Sequence, residues 1–162
     1  MIPVDVVGVR VEMPSNQPIV LLKEVDGIRF LPIWVGAVEA TAIAFAQQGV
    51  KPPRPLTHDL MKEVLDLLGV SLVAVQITEI VEGVFMANLI LHPTSGAEIV
   101  VSARPSDALA LGLRCSSKIY ASELLLDQAG IEIPETQNEQ ANDEVQRFRE
   151  FLDQINPEDF LA

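Results

Sequence analysis

Three short stretches of the chain place charged and polar residues where helices are predicted to begin. They are Glu39 in VGAVEATA, Arg54 to Asp59 in RPLTHD, and Arg104 to Asp107 in RPSD. A helix N-terminus attracts anions, because its unpaired N–H groups and the helix dipole both point outward. An arginine beside such a terminus adds a bidentate donor that suits phosphate. The pattern therefore predicts a site for a phosphate-containing ligand.

The same stretches contain candidate metal ligands and a candidate proton carrier. Glu39, Asp59 and Asp107 offer carboxylate oxygens, which are the ligands that Mg²⁺ or Mn²⁺ prefers. A bound cation would polarise the phosphate and activate water, and arginine would stabilise the added charge. A histidine would act as general base or acid near neutral pH. These residue types predict metal-assisted hydrolysis of a phosphodiester, with the catalytic set His58, Asp59, Arg54, Arg104, Asp107 and Glu39.

A structural interpretation of the same residues stays open. Glu39 and Asp107 in first helical turns would complement the helix dipoles, and Arg54 or Arg104 would form ion pairs with Asp107 or Asp59. The domain would then be a non-catalytic module for dimeric interaction or for binding a small anionic ligand. Charged groups that share one solvent-open cleft favour the enzyme, whereas a closed network favours the module.

The elements that must position these residues follow from the hydrophobic pattern. Valine-rich, roughly alternating runs predict strands at 4–13, 19–25 and 28–35. An alanine-rich helix is predicted from Gly36 to Gly49, and Thr57 is the predicted N-cap of a second helix that ends at Gly69. Each candidate stretch in this half therefore lies where a strand or a rigid proline turn leads into a helix.

The second half of the chain repeats this order. Strands are predicted at 70–80, 84–91 and 97–103, a helix follows RPSD, and Ser122 is the predicted cap of another helix after a short strand at 118–120. The two halves align at an offset of 68 residues, with Glu39 opposite Asp107. This alignment predicts an internal βββαα duplication.

Composition limits the class of protein. The 162 residues are 49% hydrophobic, which predicts a globular domain, and the single cysteine excludes an internal disulfide and a zinc site with several cysteines. Aromatic residues make up only 5%, and the net charge is −12, so stacking platforms of several rings and wrapping of a polyanion are not expected. The chain has neither a targeting segment nor an apolar run of membrane-spanning length, which predicts a soluble, cytoplasmic protein without a membrane partner.

The acidity is concentrated at the C-terminus. Residues 132–162 hold nine acidic residues and two arginines, and we expect an acidic linker there. Apolar residues at helical spacing predict a C-terminal amphipathic helix that docks on its own domain or on a second subunit; they are Val145, Phe148, Leu152 and Ile155. The predicted division is a domain over 2–131, followed by the linker and helix over 132–162.

At the three candidate stretches the chain resembles the bifunctional nuclease domain family. The resemblance covers about residues 2–131 and rests on LPIWVGAVEATAIA at 31–44, RPLTHDL at 54–60 and RPSDALALGLR at 104–114. It implies an α+β fold with a mixed or mostly antiparallel sheet and helices packed on it, a homodimer, and nuclease activity on DNA and RNA. All six candidate residues lie inside the matching blocks, and the acidic tail lies outside the resemblance.

Overall fold

The computed structural model describes residues 1–133, and the predicted C-terminal helix lies outside them. This part of the chain holds eight strands and four helices. Their bounds are β1 (Ile2–Glu12), β2 (Gln17–Glu24), β3 (Arg29–Trp34), α1 (Ala37–Gln48), α2 (Thr57–Leu67), β4 (Val70–Val81), β5 (Val84–Pro93), β6 (Ile99–Ala103), α3 (Pro105–Arg114), β7 (Lys118–Ala121), α4 (Glu123–Ala129) and β8 (Ile131–Glu132).

The strands form one sheet in the order β6-β5-β4-β7-β1-β2-β3-β8. All described neighbours pair antiparallel except β4 and β7, which are parallel. The predicted α+β fold with a mixed, mostly antiparallel sheet is therefore confirmed. The sheet consists of two meanders, β1–β3 and β4–β6, and β7 lies between them.

The two halves of the chain share the order of three strands followed by a helix. They differ afterwards, because β7 separates α3 from α4 whereas α2 follows α1 directly. Strand β7 pairs with β4 on one side and with β1 on the other, so it joins the two meanders into one sheet. The predicted βββαα duplication stays a prediction.

Helices α1 and α3 pack against each other and against the strands of both meanders. Helix α1 ends at Gly49, whose φ of 66° suits glycine and whose N–H donates to the carbonyl of Ala46. The largest fully buried side chains come from both meanders and from α1, α3 and α4; they are Leu22, Leu31, Ile33, Ile43, Ile77, Leu109, Leu111, Leu125, Leu126, Val20 and Val75. This shared core holds the starts of α1 and α3 side by side.

Helix α2 is the most exposed of these helices, because none of its residues is fully buried. The prediction that Thr57 is the N-cap of α2 is wrong, because the helix begins at Thr57 and its N-cap is Leu56. The Asp59 carboxylate accepts a hydrogen bond from the Leu56 N–H at 2.9 Å, so this acid takes part in the capping that was expected of the threonine hydroxyl. In the described residues, no helix has the length and apolar character needed to cross a membrane.

Candidate functional site

A cleft of about 720 Å³ opens between the start of α1, the turn before α2 and the start of α3. Five of the six predicted site residues line this cleft, namely Glu39, Arg54, His58, Arg104 and Asp107. Stretches that are far apart along the chain therefore meet at one surface. We call this cavity the Arg104 cleft.

The backbone before α1 and α3 brings the charged residues to the cleft. Gly36 and Arg104 are the N-caps, both in extended conformation, and Pro105 follows at the first helical position, where its ring suits the required φ. Glu39 and Asp107 each lie in the first turn of their helix. Because α1 and α3 pack together, their first turns face the same cavity.

Arg104 connects the two acidic residues. Its Nε donates to Asp107 Oδ2 at 2.7 Å, and its Nη2 donates to Asp107 Oδ1 at 3.1 Å, so this pair is bidentate. Its Nη1 donates to Glu39 Oε1 at 3.1 Å. The guanidinium is thus oriented by one carboxylate from each of the two helices.

His58 joins the network from α2. Its Nε2 lies 3.0 Å from Asp107 Oδ1, and its Nδ1 makes no hydrogen bond with any residue of the described chain. The His58 side chain is 12% exposed, whereas that of Arg104 is 64% exposed. The network is therefore closed around the histidine and open to solvent at the arginine.

The electrostatics of the network keep its central pair charged. Burial raises the pKa of Asp107, but hydrogen bonds from Arg104 and His58 outweigh it, so the pKa of this carboxyl lies below its usual range. The hydrogen bond to Asp107 raises the pKa of Arg104, and Glu39 raises it further. At neutral pH the cleft therefore holds an ionised carboxylate and a guanidinium cation in direct contact.

Arg54 lies at the edge of the cleft. Its side chain is exposed and makes no hydrogen bond or ion pair with any residue in the range 1–133. A second guanidinium is thus available for an anion that enters the Arg104 cleft.

Asp59 does not line the cleft. Its Oδ1 accepts a hydrogen bond from Arg114 Nε at 2.6 Å. Arg114 Nη1 also donates to the carbonyls of Ala42 and Ala110, and its side chain is 7% exposed. Arg114 thus links α2 to α1 and α3 through hydrogen bonds, and it positions His58 in this way. The sequence interpretation did not single out this arginine. Its signal in the sequence is a single charge at the end of the otherwise apolar segment ALALGLR.

Two of the three predicted metal ligands meet at Arg104, and the third, Asp59, lies elsewhere. Glu39 and Asp107 both bind the guanidinium of Arg104, and Asp59 binds Arg114. Among residues 1–133, no group of three or more histidine, cysteine, aspartate or glutamate side chains is arranged to hold a metal ion. The carboxylates of the cleft are already paired with arginine and do not fit a magnesium site built from three carboxylates. The use of Mg²⁺ or Mn²⁺ as a cofactor stays a prediction.

Comparison with known proteins defines the class to which this fold and cleft belong. The family model of the bifunctional nuclease domain matches residues 20–134, which is more than half of the chain. The chain therefore belongs to the bifunctional nuclease domain family, and the resemblance drawn from the three sequence blocks is confirmed. The family match begins inside β2, and the predicted division at residue 131 stays a prediction.

Relatives of two kinds are similar to this chain. Proteins from two strains of Mycobacterium tuberculosis, both described as uncharacterized, are 52% identical over 164 residues, which covers 98% of this chain and 98% of theirs. Bifunctional nuclease 1 of Arabidopsis thaliana is 30% identical over 125 residues, 75% of this chain and 38% of its own length. Bifunctional nuclease 2 of Oryza sativa subsp. japonica is 28% identical over 127 residues, 76% of this chain and 39% of its own length.

Proposed function

We propose that this protein is a nuclease that hydrolyses phosphodiester bonds of DNA, RNA or both in the Arg104 cleft. The observation that carries the proposal is the contact of His58 Nε2 with Asp107 Oδ1 at 3.0 Å, beside an arginine that is largely open to solvent. A histidine oriented by a carboxylate is the usual arrangement of a general base. The family membership and the names of the plant relatives support the same activity.

The proposed reaction uses the residues that line the cleft. Arg54 and Arg104 bind the phosphate, and Arg104 stabilises the extra negative charge as water adds to phosphorus. His58 takes the proton of the attacking water, and the bond from phosphorus to the leaving oxygen breaks. The leaving oxygen then takes a proton from solvent water, and His58 releases its own proton to solvent. Asp107 holds the imidazole and Glu39 holds Arg104.

The experiment compares the two histidines of the chain. Purified protein is incubated with labelled single-stranded and double-stranded DNA and RNA, and His58→Gln is expected to lower the cleavage rate by about 10²- to 10⁴-fold because the general base is removed. His92→Gln is the matched control, because His92 is exposed and pairs with Glu98 at 2.8 Å, outside the cleft. Equal rates for the two variants would contradict the proposal.

The second candidate is a non-catalytic module that binds an anionic ligand, and the exposed guanidinium of Arg104 favours it. Direct binding measurements separate the two functions. Under the nuclease proposal, His58→Gln binds the substrate but does not cleave it. Under the module alternative, the wild-type protein also binds without cleavage, and Arg104→Met abolishes binding.

We also propose that the chain forms a homodimer through the edge of its sheet. Strand β6 ends the sheet, and three consecutive aliphatic residues on it are exposed, namely Ile99, Val100 and Val101. An exposed hydrophobic edge strand is a template for pairing with another chain. Val100→Lys is expected to convert the dimer to a monomer in analytical ultracentrifugation, and an unchanged mass would contradict this interface. The cytoplasmic location stays a prediction.

A further inference from the structure

A second, smaller cavity also borders Arg104. Its volume is about 310 Å³, at the lower end of the range for small-molecule sites, and it shares Glu39 and Arg104 with the Arg104 cleft. Trp34 and Phe85 contribute aromatic rings to its lining, and Ser106 contributes a hydroxyl. We call this cavity the Trp34 pocket.

The aromatic lining suits a flat ligand. Trp34 is the last residue of β3 and is 46% exposed. Its Nε1 donates to Glu12 Oε2 at 2.9 Å, so the polar group of the indole already has a partner. The remaining exposed surface of the indole is aromatic carbon, on which a nucleobase can stack. Phe85, from the start of β5, adds a second, half-buried ring.

The polar part of the lining suits a phosphate oxygen. Ser106 is only 7% exposed, yet its side chain makes no hydrogen bond with any residue that the structure describes. Ser106 lines the Trp34 pocket, so its hydroxyl is available to hydrogen-bond with a ligand that enters there. Ser106 is the second residue of α3, a helix of ten residues, where backbone N–H groups have no partner within the helix. Arg104 precedes this helix.

We propose that the Trp34 pocket binds one nucleotide unit of a single-stranded nucleic acid. The base stacks on Trp34 and Phe85, and the adjoining phosphate binds Arg104 and Ser106, so that the strand continues into the Arg104 cleft. A single strand fits because its bases are free to stack on protein, whereas those of a duplex are stacked on one another. This inference rests on the proposed nuclease function for the direction in which the strand runs.

The net charge supports a single strand over a duplex. The chain carries −12 overall, and the Arg104 cleft contributes only two arginines, Arg54 and Arg104. Binding along a duplex needs several clustered cations to neutralise phosphates. Stacking on aromatic rings supplies affinity that does not depend on such a cluster.

Tryptophan fluorescence tests the proposal directly, because Trp34 is the single tryptophan of the chain. The full-length protein is titrated with a phosphorothioate tetranucleotide, which resists hydrolysis, and with an abasic oligomer of the same length and charge. We expect the tetranucleotide to quench Trp34 and the abasic oligomer to leave the fluorescence unchanged. Binding is followed in parallel by calorimetry. Binding without quenching, equal quenching by the abasic oligomer, or equal affinity for a duplex would overturn the proposal.

Variants separate the two parts of the pocket. Trp34→Leu is expected to weaken binding of the tetranucleotide by roughly tenfold, and Trp34→Phe, which keeps a ring, by much less. Ser106→Ala is expected to weaken binding by about fivefold but to leave the quenching at saturation unchanged, because the base still reaches Trp34. Melting temperatures verify that each variant is folded. Wild-type affinity in folded Trp34→Leu would overturn the base site.

The outcome also distinguishes this inference from the proposed function. Cleavage of a single strand without any change in Trp34 fluorescence on binding would disprove the Trp34 pocket and leave the nuclease intact. Suppose instead that the tetranucleotide quenches Trp34 of the wild-type protein and binds Trp34→Leu more weakly in calorimetry, but that the wild-type protein does not cleave a single strand. That result would disprove the nuclease and leave the binding site intact.

Discussion

Replacing Arg114 with methionine tests whether one buried guanidinium holds α2 in place. The Arg114 side chain donates to the Asp59 carboxylate and to the backbone carbonyls of Ala42 and Ala110. Methionine keeps much of the apolar length but removes every one of these donors. Because α2 buries none of its own residues fully, we expect the helix and its His58 to depend on this arginine.

The expected loss follows from the burial of the pair. Removing one partner of a buried ion pair costs about 3–5 kcal/mol, since the other charge stays buried without compensation. Asp59 keeps partial contact with solvent and the hydrogen bond from the Leu56 N–H, so a smaller loss applies. We expect Arg114→Met to lower the free energy of unfolding by about 2–4 kcal/mol. In a double-mutant cycle with Asp59→Asn, the interaction energy should be about 1–3 kcal/mol.

The assay is unfolding in urea followed by circular dichroism, with the slope of each transition verified to be unchanged. Lys62→Met is the matched control, because Lys62 forms an exposed ion pair with Asp66 on the same helix. Its loss should stay below about 0.5 kcal/mol. A loss for Arg114→Met no larger than that of the control, or an interaction energy of zero with Asp59, would refute the reasoning.

Three further predictions concern the Arg104 cleft. The pKa of Asp107 is lowered in the folded protein. The ionised carboxylate therefore stabilises the fold at a pH above its unfolded pKa of about 4, and this stabilisation is lost as the pH falls through the folded pKa. The difference in unfolding free energy between wild type and Asp107→Asn should shrink below about pH 4. A Cβ at Gly36 would clash with Glu39 Oε2, so Gly36→Ala should displace this carboxylate from Arg104. Because Glu39 then no longer orients the guanidinium, KM should rise by up to about fivefold, and an unchanged KM would contradict this. If Mg²⁺ or Mn²⁺ takes part, EDTA should abolish cleavage and either cation should restore it, whereas full activity in EDTA would show the metal prediction to be wrong.

The local elements of this protein could be predicted from its sequence because their signals are local. Alternating valines mark β1, and Gly49 ends α1 through a positive φ that few other residues adopt. The positions of Glu39 and Asp107 in first helical turns follow from the same patterns. The three sequence blocks also indicated the family, and the match of the family model over residues 20–134 confirms it.

The partners of each charged side chain were decided only by the tertiary structure. Asp59 and His58 are neighbours in sequence on α2, yet Asp59 turns to Arg114 whereas His58 contacts Asp107. The packing of α2 against α3 decides this division, and no sequence spacing encodes it. The tertiary structure also brings Ser106 and Arg104 into one pocket with Trp34 of β3. Sequence therefore determined which residues stand at the helix starts, and long-range packing determined which of them share a cavity, because such contacts depend on the relative placement of whole helices.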